Sequence, residues 1–225
     1  MKTFKFLFQA KKLLITVLLV SLVSNLSAQT YSEIQPRFLV SAEAGAGVLF
    51  GSSNLSLWGI HYRNQHKNGF VGNLKALYQY EKWNLIGLKY SYFSDVGNYT
   101  LSNHLPVADN VFVHYIAAQI LGLRANVTEK LILGYTFGVG PAYYRTNGLK
   151  GDEEFKAKAV AFAGNFDFSC DYIVLDNLAV CANLSFTGSK KFREMKLNGE
   201  AFTPEKWNGI KFWRGDLTVG IKGFF

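Results

Sequence analysis

Eight times along the chain apolar and polar residues alternate with period two, and the joints between these segments are by turns long and short. Period two puts successive side chains on opposite faces of a β-strand. The last segment shows it most cleanly. In residues 213–225 the odd positions read Trp213, Gly215, Leu217, Val219, Ile221, Gly223 and Phe225, and the even ones Arg214, Asp216, Thr218, Gly220, Lys222 and Phe224. Seven more strands are predicted at 38–50, 70–80, 85–93, 111–125, 131–144, 159–172 and 178–187. Alternation alone does not say which face meets water, since a soluble sandwich buries the apolar face and a membrane barrel turns it to lipid.

The joints decide the architecture. Long connections lie between strands one and two, three and four, five and six, and seven and eight. The others, EKWN (81–84), NVTEK (126–130) and IVLDN (173–177), are tight. An antiparallel up-and-down sheet then gathers every long connection at one end and every short one at the other. The sequence therefore predicts an all-β, eight-stranded antiparallel up-and-down transmembrane β-barrel, with short periplasmic turns and longer outer loops. The 19 Phe, 12 Tyr and 4 Trp supply a lipid-facing band with aromatic girdles. Strands of 9 to 15 residues suffice to cross, because about 9 to 11 are enough when tilted.

The N-terminus reads as a secretory leader. MKTFKFLFQAKK carries four lysines and no acid, and the eleven-residue run Leu13 to Val23 precedes SNLSA. A helix of that length rises only about 16 Å, roughly half a hydrocarbon core. The expected division is a signal peptide at 1–28 cleaved after Ala28, a short periplasmic segment at 29–36, and a barrel domain at 37–225. The leader takes four of the 24 basic residues and none of the 16 acidic ones, so the remainder is only mildly basic, 20 against 16, or +4. A nucleic-acid partner would need a basic face on a matching fold, and neither is present in the pattern.

In its alternating strands and its aromatic C-terminus the chain resembles the small OmpA/OmpX-type outer-membrane barrels, over most of residues 37–225. The most specific element is the last strand ending in Phe225. The resemblance implies that Phe225 is the assembly signal read by the barrel-assembly machinery, that the protein sits in the outer membrane of a double-membraned bacterium among its lipids, and that the external loops carry any surface ligand.

Closing the barrel with the apolar faces outward puts Glu43, Lys75, Lys89, Asp167, Asp171, Arg214, Asp216 and Lys222 inside. Around the tight turn at 81–84, Lys75 falls roughly opposite Lys89, and two facing lysines need an anion, for which Glu43 on the adjoining strand is the expected partner. Eight strands leave a lumen just wide enough for side chains to fill. An ion-pair network plugging the barrel is thus expected, with a narrow path for protons or small solutes as the alternative. The fourth strand is ambiguous, because Gln119 interrupts one face and His114 with Arg124 the other; His114 and Arg124 are expected inward.

Competing chemistry finds little footing. A lipid-modifying enzyme of the outer membrane would need a nucleophile beside a positioned base. None of the four histidines shows a His-x-Ser-Asn arrangement, and Ser102 lies near His104 only within a polar loop, so no catalytic residue, cofactor or metal is expected. Gly138-Val139-Gly140 looks like part of a dinucleotide loop but lies within a strand with no helix after it. Arg214-Gly215-Asp216 spells an adhesion tripeptide whose charged side chains point inward. Cys170 and Cys181 fall on opposite faces of neighbouring strands, so a disulfide would have to pass through the sheet. A secreted carrier of lipocalin type would require an apolar interior and a polar exterior, the reverse of the pattern here.

Overall fold

The computed structural model describes residues 38–58, 60–81, 84–192, 194–202 and 209–225. The expected leader, its cleavage point and the 29–36 segment lie outside them. Among the described residues, ten strands form in chain order: β1 (Phe38–Leu49), β2 (Asn68–Gln79), β3 (Asn84–Thr100), β4 (Pro106–Asn126), β5 (Leu131–Lys150), β6 (Glu153–Leu175), β7 (Leu178–Ser189), β8 (Glu194–Leu197), β9 (Glu200–Phe202) and β10 (Trp213–Phe224). β1 to β7 and β10 close an antiparallel ring in sequence order. The seam is the pairing of the first strand with the last, Leu39 opposite Phe224 through Leu49 opposite Arg214. Reciprocal backbone bonds between Phe38 and Phe225, 2.9 and 2.8 Å, complete it.

The facing is inside-out relative to a water-soluble protein. On β10, Leu217 and Val219 are 64% and 62% exposed, whereas Arg214 and Asp216 on the other face are each 1% exposed. Phe38, Leu74, Leu88, Phe162, Tyr172 and Ile221 join the outward apolar surface. Burying so many charges while exposing these side chains is stable only where the outside is apolar and the inside supplies partners.

Two of the four long connections are shorter than the sequence predicts, because the strands run on past the alternating segments. β3 and β4 pair to Thr100 and Pro106, leaving only 101–105 between them. β5 and β6 pair to Lys150 and Glu153, leaving the two-residue turn Gly151-Asp152. Gly151 has φ +61°, a value that costs glycine nothing and that suits the first position of such a turn. Among the described residues between β7 and β10, the hairpin β8–β9 extends the sheet beside the upper part of β6. The 51–67 segment folds back against the barrel and contains a 3-10 turn, Ile60–His66.

β4 corrects the expectation for His114. Its inward residues are odd-numbered from Val107 to Gln119, and a bulge between Gln119 and Leu121 then inverts the parity, so that Gly122 faces in. One extra residue on one strand does this by shifting every later side chain to the other face. Arg124 therefore points inward as expected, donating to Gln79 Oε1 at 3.1 Å and lying 4.7 Å over the Phe224 ring. His114 faces outward, with its Nδ1 2.8 Å from the Tyr90 hydroxyl and its ring beside Tyr92.

Candidate functional site

The lumen is stratified into three layers. Nearest the short turns, Leu39, Leu77, Leu85, Ile132, Ala179 and Phe224 form a small apolar floor. Above it lies an ionic layer, and above that a large apolar plug fills the end with the long connections.

All eight expected inward charges are in the ionic layer, each at most 6% exposed. Lys75 pairs with Lys89 in the β2–β3 register. The anion between them is chiefly Asp167, reaching across the lumen from β6: Lys89 Nζ lies 2.7 and 3.0 Å from its two carboxylate oxygens, and Lys75 Nζ 3.4 Å from one of them. Glu43 serves Lys75 alone at 3.2 Å, with Ser41 and Thr218 donating to its carboxylate. Glu43 is thus one partner, and the expected central role falls to Asp167. Ser185 donates to Asp167 and accepts from Lys89, so a hydroxyl on β7 braces the bridge. Lys222 binds both oxygens of Asp171, at 2.7 and 2.6 Å. Arg214 Nε lies 2.6 Å from Asp216 Oδ1, its Nη2 donates to Ser91 at 2.8 Å, and its guanidinium sits 5.0 Å over the Phe93 ring. The adhesion-like tripeptide is therefore wholly committed inside the barrel. Salt bridges in a narrow, poorly solvated space are held by such added hydrogen bonds, because removal from water otherwise outweighs the attraction.

Below the network is a cavity of about 20 Å³, lined by Lys75, Arg124, Asp167, Asp171, Asn183 and Lys222 among others, which is room for a single water. Gly138 closes the layer on one side: a side chain there would collide with the Gln119 amide and with Asn165 Oδ1, which bond each other at 3.2 Å. Its place within β5 excludes the dinucleotide-loop geometry.

The apolar plug was not legible from the alternation. Leu55 and Leu57 from the 51–67 segment and Phe192, Ile210 and Phe212 from the 188–212 segment meet Val71, Phe93, Val111, Tyr115 and Phe155 of the strands. The Tyr144 hydroxyl donates to the Leu55 carbonyl at 2.8 Å. A buried polar cluster ties the 3-10 turn down: His66 Nε2 is 2.9 Å from Asp109 Oδ1 and Nδ1 is 3.5 Å from Asp95 Oδ2, while the Tyr99 hydroxyl donates to Asp109 at 3.3 Å. The odd-numbered apolar residues of β4, with Val71 and Phe93 on the inward faces of β2 and β3, were the sequence signals for a greasy interior. Cys170 and Cys181 are both free, in register positions one residue apart on opposite faces. Phe225 stands outward at the rim of the seam, 72% exposed.

No protein-family model matches the sequence, and no curated protein matches it. Solved structures do match the fold. A major outer membrane protein from Thermus thermophilus is 11% identical with a TM-score of 0.54, covering 85% of this chain and 100% of that one. The outer membrane protein OprG from Pseudomonas aeruginosa is 13% identical with a TM-score of 0.51, covering 86% and 98%. At these identities the likeness is one of fold. The closed eight-strand ring, its inside-out facing and these neighbours together identify the fold as that of the OmpA/OmpX-type outer-membrane β-barrels.

Proposed function

We propose that this protein is an integral outer-membrane barrel that is closed to solutes and serves the envelope as a structural or surface-interaction element, through the segments at its long-connection end. The observation that carries this reading is the packed lumen: among the described residues the three layers fill it, and the cavity beneath the ionic layer has room for a single water. In this reading the 1–28 leader directs export, the short turns and both barrel termini face the periplasm, and the assembly machinery of a double-membraned bacterium reads the strand that ends at Phe225. The described outer face offers no long loop at 94–110 or 145–158, so a surface partner would meet the mouth formed by the 51–67 and 188–212 segments.

Two measurements test the proposal. The protein should stay in the membrane pellet after an alkaline carbonate wash, and the purified, folded barrel should give no steady open-channel conductance in planar bilayers. Release by carbonate would refute membrane integration, and porin-like conductance would put the narrow-channel reading in its place.

A further inference from the structure

Outward on the upper wall, a row of cations runs across three strands. Arg145 on β5 pairs directly with Lys158 on β6, and Lys158 with Lys196 on β8. Like charges directly opposite one another destabilise a sheet. Lys190 joins them at the rim of an open cleft of about 1330 Å³, which Lys191 also lines. Among the described lining residues of this cleft none is acidic. Glu194 on β8 is in register with Val160, Glu200 on β9 with Leu197, and Glu154 on β6 stands two outward positions above Lys158, beyond Lys156. Among these described residues Arg145, Lys156, Lys158, Lys190 and Lys196 outnumber the three acids, so the row calls for an anion.

Its height says which anion. The outward residues of β6 from Tyr172 to Val160 carry no charge, and those of β5 from Leu131 to Tyr143 carry none either. Twelve residue steps at about 3.3 Å, tilted by about 40°, span roughly 30 Å, the thickness of a hydrocarbon core. Arg145 and Lys158 are the next outward residues, which places them at head-group level. The cleft floor beneath them is His114, Pro141, Tyr143, Val160 and Phe162, an apolar and aromatic surface facing the same way. The backbone of Lys190 bonds to Phe162 O at 3.1 Å, so the cationic rim and the apolar floor are held together.

We infer that this cleft binds a phosphorylated lipid of the outer leaflet, its phosphates on Arg145, Lys158 and Lys196 and its acyl chains against Tyr143, Val160 and Phe162. A second copy of the chain is disfavoured, because a matching face would set cation against cation. The inference rests on the membrane reading above and adds a site and a ligand chemistry to it.

Native mass spectrometry of the detergent-solubilised full-length barrel provides the test, with three probes: a diphosphorylated glycolipid, the same lipid with its phosphates removed, and inorganic phosphate. The wild-type barrel should retain one diphosphorylated glycolipid, and neither of the other probes. The triple variant Arg145→Gln, Lys158→Gln, Lys196→Gln, whose altered side chains all lie on the outward face, should stay folded by heat-dependent gel mobility and lose retention by roughly a hundredfold. Equal retention by the variant, or by the dephosphorylated lipid, overturns the site. Binding of inorganic phosphate as tightly as the glycolipid overturns the lipid assignment. A wild-type protein that leaves the membrane in carbonate overturns the membrane reading and this site with it, whereas one that resists carbonate but fails to retain the glycolipid overturns this site alone.

Discussion

Asp167 touches both lysines of the β2–β3 pair, while Glu43 touches one, and the two acids should differ accordingly when neutralised. Asp167→Asn leaves Lys89 with only the Ser185 hydroxyl of its present partners and should cost about 3–5 kcal/mol, the range for breaking a buried pair. Glu43→Gln leaves Lys75 within reach of Asp167 and should cost less, about 1–3 kcal/mol. Urea unfolding in lipid vesicles, followed by tryptophan fluorescence, ranks them; equal losses would contradict the bridging role of Asp167. The cysteines give a second residue-scale test. Both thiols should take up an alkylating reagent once the unreduced protein is unfolded, and a crosslinked peptide containing Cys170 and Cys181 would contradict the register of β6 and β7. Parity made the inward charges and the Lys75–Lys89 pairing legible in the sequence, since both depend only on strand direction and a tight turn. The bridge to Asp167 was not, because it joins strands that are not neighbours, and which residues meet across a lumen depends on the stagger around the whole ring.

At the level of elements, β10 joins β1 by eleven paired positions and by the bonds between Phe38 and Phe225. Deleting Phe225 removes the last of these and the outward aromatic at the rim, and should lower the yield of folded barrel in membranes while leaving synthesis and export unchanged. Heat-dependent gel mobility of the membrane fraction checks it, and an unaltered yield would remove Phe225 from assembly. Strand existence and facing were readable wherever alternation was strict, as in β5 and β10. β4 was readable only in part: its Gln119 and Arg124 conflict in parity until a bulge is placed between them, and nothing in the residue types there announces one. Likewise the upper stretches of β3 to β6 mix glycine, asparagine and charge, so they resemble loops although the ladder carries through them. Leu55, Phe192, Ile210 and Phe212 belong to no alternating segment, and the plug they build was invisible for that reason.

In the closed barrel proposed above, the described residues seal the lumen twice, once with charge and once with apolar packing, so the two seals should be separable. Replacing residues 52–66 by a short linker removes Leu55, Leu57 and the His66 anchor from the mouth, yet the ionic layer below should still block current in planar bilayers. Steady conductance from the trimmed barrel would show that the plug alone seals it. The order in which the chain emerges adds a constraint of timing. Glu43 accepts a hydrogen bond from Thr218, 175 residues further along, and every other contact of the seam spans a comparable length. In the exported barrel proposed above, β1 leaves the export channel first and finds its second neighbour last. Until then it is an open strand edge able to pair with any passing chain, and contacts this distant in sequence form slowly. Under that proposal the chain needs a chaperoned interval during export, and its vulnerability to misassembly is greatest just before β10 arrives.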